Sequence, residues 1–209
     1  AYCDMSHGGY TLLAVANAHS RAFGNSSPGW AASEVFGSTS IGLMGGDYKG
    51  RAYSELTTNV IRLCRTNFDK CHDFPHAKNI ALRSFFADGV SYDEYAFNIA
   101  DHTNTGVDQS RVDYLTQLVA SQGTAMCGYW LGINEQRMAS GIGLMGDVNQ
   151  GCGTGTDLAW IDDLAIGVGL QSCADNNSCT PGGAGHTAGR QYRWSGEQGD
   201  VGPWLMLGK

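Results

Sequence analysis

The chain has 209 residues, of which 42% are hydrophobic, and a formal net charge of −7 from 13 Lys and Arg against 20 Asp and Glu. That length and composition suit one compact domain with a real core, and no basic run is present that would track a phosphate backbone, so nucleic acid is excluded as the expected partner. No apolar run approaches the roughly 20 residues of a membrane-spanning helix.

In chain order, "TLLAVANA" (Thr11 to Ala18) reads as a buried strand, bounded by Gly8-Gly9 before it and "GNSSPG" after it. "LTTNVIRLC", ending at Cys64, fits a helix or a strand equally well. "CHDFPH" (Cys71 to His76) offers His72, Asp73 and His76, but Pro75 interrupts the helix that a His-x3-His metal pair needs, so a surface loop is expected. The best helix pattern is Asp108 to Gln122, with Val112, Leu115, Leu118 and Val119 on one face, Asp108 or Ser110 as cap and Gly123 as stop. "WIDDLAIG" sets Asp162 and Asp163 beside a strand, and Trp204 in "PWLML" reads as core. "IGLMGGD" (Ile41 to Asp47) and "IGLMGD" (Ile142 to Asp147) repeat, as twin aspartate-bearing loops or as two buried strand ends that coincide in sequence. The expected fold class is α+β in a single domain spanning 1–209, with short strands and few helices. The 30 glycines, about twice average usage, predict many irregular loops.

Seven cysteines point to an oxidising compartment, hence a secreted or cell-surface protein. Spacing suggests local staples at Cys64 with Cys71 and Cys173 with Cys179, and a link of Cys127 with Cys152, leaving Cys3 over. A zinc site is the competing reading, although the chain lacks a C-x2-C pair. Asn25 and Asn176 head N-x-S sequons, which are glycosylation acceptors in a eukaryotic secretory pathway. The chain opens at "AYCDM" with no n-region or h-region, so any signal peptide is expected to precede it.

"SCADNNSCTPGGAGH" (Ser172 to His186) is the densest candidate for chemistry. Calcium takes six to eight oxygens, and short Asp, Asn and Ser side chains with turn carbonyls supply them well. Asp175 and Asn176 are candidate ligands for such an ion. A disulfide between Cys173 and Cys179 would pre-order them by about 2 kcal/mol in the chain-entropy model. The alternative is an Asx-turn loop that caps its own backbone and binds nothing. Adjacent carboxylates at Asp162 and Asp163 also invite a cation, or else one of them caps a turn. Sugar binding needs a flat apolar wall, which Tyr192 and Trp194 can provide, with Asn177 and His186 as hydroxyl partners. No G-x-S-x-G, H-E-x-x-H or P-loop occurs, and the expectation is a binding protein rather than an enzyme.

"CDMSHGGYTLLA" (Cys3 to Ala14) resembles the opening of fibrinogen-related domains. "FGSTSIGLMGGDYKGRAYSEL" (Phe36 to Leu56) and "LAIGVGLQSCADNNSCTPGGAG" (Leu164 to Gly185) resemble segments of the intelectin branch, the X-type lectins, and "RWSG" and "WLMLG" fit the same carboxy-terminal scheme. These blocks cover about half the chain in the family's order. The resemblance implies a fibrinogen C-terminal-like fold with small antiparallel sheets, few helices and many Gly-rich loops. It also implies an extracellular, calcium-dependent lectin that binds microbial or cell-surface glycans through exocyclic vicinal diols.

By the same resemblance, His19 and Asp47 correspond to calcium ligands, and Cys3 pairs with a cysteine upstream of Ala1, where oligomerisation would also reside. Asn176 and Asn177 stand where the family has an acidic calcium ligand and a sugar-contacting histidine. A downstream segment carrying a second sugar-contacting acid is missing between Gly185 and Trp194, as is a tyrosine between Gly202 and Trp204. These departures leave open a rival of another class, a structural or adhesive module of a bacterial surface appendage with structural calcium and no sugar site.

Overall fold

The computed structural model describes residues 3–4, 8–17, 22–24, 27–38, 46–65, 71–95, 128–134, 141–147, 164–169, 190–193, 199–200 and 203–209. Two six-stranded sheets, in which every pairing is antiparallel, account for most of these residues. The first contains β1 (Cys3–Asp4), β2 (Tyr10–Ala16), β3 (Tyr48–Lys49), β4 (Thr57–Arg65), β5 (Cys71–Ala81) and β12 (Trp204–Gly208). Its order is β1-β2-β12-β4-β5, with β3 also on β2. The second runs β11 (Gly199–Asp200), β10 (Arg190–Arg193), β9 (Leu164–Val168), β8 (Ile142–Asp147), β7 (Gly128–Ile133) and β6 (Tyr92–Tyr95). Two short helices, α1 (Ala52–Glu55) and α2 (Leu82–Ala87), and a 3-10 turn at Pro28–Trp30 complete the described elements. An α+β class with antiparallel sheets and few helices therefore holds, and the sheets are larger than expected.

One core lies between the sheets. Leu13, Ile61, Leu63, Phe74 and Met206 from the first sheet meet Leu131, Ile133, Ile142 and Val168 from the second, with Trp30, Tyr53, Leu82 and Phe85 closing the sides. Trp204 is fully buried in this cluster, as its apolar setting predicts. β12 is buried along its whole length, and β2 at every residue but the half-buried Thr11, because the other face of the first sheet carries a second cluster of Leu12, Val15, Cys64, Leu205 and Leu207. That burial on both faces explains the unbroken apolar runs in their sequences. Between Met206 and Leu207 the β2–β12 register shifts, so Leu13 and Ala14 both enter the inter-sheet core.

"TTNVIRLCR" resolves as a strand, with Ile61 and Leu63 facing the core while Val60 and Cys64 face the second cluster. The expected surface loop at Cys71 to His76 is corrected: it is the first half of β5. His72, Phe74 and His76 point inward, with the histidines only 8% and 6% exposed, while Cys71, Asp73 and Pro75 alternate outward. Proline tolerates this position because β5 is an edge strand. Asp73 anchors the strand to β4 through a two-pronged Arg62 pair at 2.6 and 2.8 Å, and Arg62 stacks on Tyr10, whose hydroxyl donates to Asp73. Burial raises the Asp73 carboxyl, but the Arg62 hydrogen bonds and charge outweigh it and hold the group below its ordinary value.

The Cys64–Cys71 disulfide forms as expected, between residues directly opposite in the β4–β5 register. It closes a short loop, for which the chain-entropy model gives about 2–3 kcal/mol. Cys64→Ser with Cys71→Ser should lower the urea midpoint by that free energy with an unchanged m-value, whereas a fall in m would mean that the folded state itself had loosened. The predicted helix at Asp108 to Gln122 and the pairs Cys127 with Cys152 and Cys173 with Cys179 lie outside the described residues, and Cys3 is free and exposed.

Candidate functional site

Of the residues expected to hold calcium, Asp47 is described, whereas His19, Asp162, Asp163, Asp175 and Asn176 lie outside the described residues, as do Asn177, His186 and Trp194. Tyr192 is placed by its backbone in β10, opposite Ala165 of β9. Among the described residues no three His, Cys, Asp or Glu side chains gather as an ion site. The scaffold nevertheless fixes where each undescribed segment leaves the fold.

Asp47 immediately precedes β3, which pairs with the end of β2 through Val15↔Tyr48 and Ala14↔Lys49. Its Oδ1 accepts the backbone N–H of Asn17 at 2.9 Å. This bond fixes the direction in which the carboxylate faces. Asn17 stands two residues before His19 in sequence.

In sequence, the stretch from Ser172 to His186 follows β9. Val168 ends β9, and Gly169 follows with a left-handed φ of 70°. A methyl group at Gly169 would lie 2.6 Å from Trp30 Cζ2 and 3.0 Å from the Phe23 carbonyl oxygen, so this exit is pressed onto the turn that follows His19. Phe23 and Trp30 meet edge to face at 5.0 Å, and the Trp30 indole donates to Gly24 O at 2.9 Å.

That turn is held unusually firmly. Ser27 caps it by accepting from Gly29 N, and side chains from three other elements bind its carbonyls. Lys49 Nζ donates to Gly29 O and Ala32 O at 2.8 and 2.7 Å, Tyr53 to Trp30 O at 2.8 Å, and Arg83 to Ala31 O at 2.7 Å. Lys49 is 1% exposed and its ammonium lies 5.3 Å from the Phe36 ring centre and 5.1 Å from that of Tyr53. Burial pulls its pKa below the ordinary lysine value, with Glu34 opposing and Arg83 assisting. Sequence reasoning assigned no role to Lys49, Tyr53 or Arg83, and a single lysine in "DYKGR" carries no sign that it is buried.

Asp162 and Asp163 belong elsewhere. They precede Leu164, at the opposite end of β9 from Val168, about 13 Å away along a strand rising ~3.3 Å per residue. Leu164 pairs with Arg193 and with Gly146, so this second end joins the chain just before Trp194 to the end of β8, where Asp147 lies. Along the sequence, the stretch from Ser172 to His186 follows Val168 at one end of β9, while Asp162 and Asp163 precede Leu164 at the other. The repeat is likewise asymmetric, since Asp147 closes a six-residue strand and pairs with Gly128, whereas Asp47 precedes a two-residue strand.

No protein-family profile, curated protein or solved structure matches the chain.

Proposed function

We propose that the chain is an extracellular, calcium-dependent glycan-binding domain of intelectin-like type, a binding module rather than an enzyme. The observation that carries this reading is the corner where Asp47 holds Asn17 and Gly169 abuts Phe23 and Trp30. In sequence, His19 lies between Asn17 and Phe23, and Gly169 precedes the stretch bearing Asp175, Asn176 and Asn177, which supports this reading. Short oxygen-rich side chains drawn from separate segments are what a hard cation needs. A calcium ion there would be held by Asp47, His19, Asp175 and Asn176, and would present open positions to sugar hydroxyls. Asn177 and His186 are the proposed sugar contacts near it, while Tyr192 and Trp194, nearer the other end of β9, would form a more distant apolar wall. A second ion at Asp162 and Asp163 would be separate and structural.

Asparagine at 177 instead of a sugar-contacting histidine favours a second reading, an adhesive surface module whose calcium is only structural. Glycan-array binding with calcium and with EDTA, on wild type, Asp47→Asn and Asn177→Ala, separates the two. Asp47→Asn retains an acceptor for Asn17 N–H but removes the charge, and is expected to weaken calcium binding at least about tenfold, in line with the loss of one charged ligand contact. Binding lost on chelation and in both variants supports the lectin. If no glycan binds while EDTA still lowers the melting temperature, the adhesive module replaces it.

A further inference from the structure

β5 departs from its partner over four residues. Val60 pairs with Pro75 and Thr58 with Ile80, so residues 76–79 of β5 bulge outward against Asn59 alone. Ala77 and Asn79 both take left-handed φ values, 49° and 51°, which asparagine tolerates and alanine disfavours. On the β4 side the opened ladder is satisfied, because Asn59 and Val60 donate their N–H groups to Lys209 O at 2.9 and 3.1 Å.

The bulge is closed by one buried imidazole. His76 Nδ1 accepts the backbone N–H of Lys78 at 3.2 Å, which leaves the ring proton on Nε2. Nε2 faces Thr58 Oγ1 at 3.4 Å, and the Thr58 hydroxyl in turn donates to Ile80 O at 3.2 Å. The chain of bonds therefore runs in one direction, from the Lys78 amide through His76 and Thr58 to the Ile80 carbonyl, and spans the bulge from within. The ring is 6% exposed and meets Phe85 of α2 edge-on at 4.9 Å.

We propose that the His76 bulge is an acid-released latch on the edge of the first sheet: a proton at Nδ1 turns the acceptor of the Lys78 amide into a second donor, which opens residues 76–81 of β5 and frees α2 behind them.

The surroundings offer a cation little relief. The ionisable groups on the packed elements are Lys78 and His72 on β5, the Arg62–Asp73 pair joining β4 and β5 on the opposite face, Lys209 beside the opened ladder with its ammonium over the Tyr10 ring, Arg83 and Asp88 on α2, and the exposed Arg51–Glu55 pair on α1. Among the described residues no carboxylate hydrogen-bonds the His76 ring. Burial first, and the Lys78 charge second, hold its pKa below the ordinary histidine value. The unfolded chain therefore takes up the proton first, so stability is full above about pH 6.5 and falls as pH drops from there through the lower folded value.

Amide exchange over residues 71–81 at about pH 7.5 and about pH 5, corrected for intrinsic rates, tests the latch. Wild type is expected to lose about tenfold protection at the acid pH, as befits one buried hydrogen bond, while His76→Gln is protected equally at both. Unchanged wild-type protection, or an equal acid loss in His76→Gln, would overturn the proposal. If the variant does not fold, ring 15N shifts of wild type decide: an Nε2–H tautomer whose titration moves with the Lys78 amide supports the latch, and titration with that amide unmoved overturns it.

Discussion

Lys49→Met is expected to destabilise the protein by about 3 kcal/mol, because methionine preserves the buried stem but abandons two carbonyls that charged hydrogen bonds now satisfy, each worth about 1.5–3 kcal/mol. Lys49 Nζ reaches Gly29 O and Ala32 O at 2.8 and 2.7 Å, and its 1% exposure leaves water no easy route to replace it. For a chain of 209 residues the melting temperature should fall by about 6–12 °C. The same substitution loosens the turn against which Gly169 packs. A loss below about 1 kcal/mol in chemical denaturation would mean that the carbonyls find other donors and that the clamp is dispensable.

The second large effect is expected at Gly167. Gly132, Gly143 and Gly167 stand side by side across β7, β8 and β9, and Gly143 and Gly167 have φ values of 155° and 147°. A methyl group at Gly167 would sit 2.1 Å from Ile142 O and 2.7 Å from Gly143 Cα, both backbone atoms of the neighbouring strand. Neither can rotate away, so β8 and β9 must separate. Gly167→Ala should cost about 3–5 kcal/mol, the range reached by backbone strain combined with overpacking. Gly46→Ala is the control, since Gly46 has a comparable φ of 153° and nothing within 4 Å of the added methyl. It should show the conformational cost alone, about 1–3 kcal/mol. Equal losses at the two positions would assign the effect to φ and remove the close approach of the strands as its cause.

Legibility in the sequence followed the range of the forces involved. β2 was readable because Gly8 and Gly9 stop it and both of its faces are apolar, all within a dozen residues. β4 was ambiguous because "TTNVIRLC" satisfies both periods, and the strand is selected by ladders to β5 and to β12, the latter far away in sequence. The loop assigned to Cys71–His76 failed on Pro75, whose missing N–H excludes a helix and a central strand but not an edge. His72 and His76 looked like surface residues for the same reason. At the candidate site, Asp47 was visible as an aspartate after tight glycines, while Lys49, Tyr53 and Arg83 act through distant carbonyls that no local pattern announces.

The central position of β12 has a consequence for the order in which the molecule is made. β2 and β4 both hydrogen-bond to Trp204–Gly208 and are joined through it in the first sheet. During synthesis, β4 leaves the ribosome about 140 residues before that strand, a wait of roughly 7–28 s at about 5–20 residues per second. For that interval two apolar strands have open edges facing each other across an empty lane, while the whole second sheet is being translated. A nascent chain held before Trp204 should consequently be a better chaperone client than the finished protein, and the first sheet should close only as the last strand slides into place.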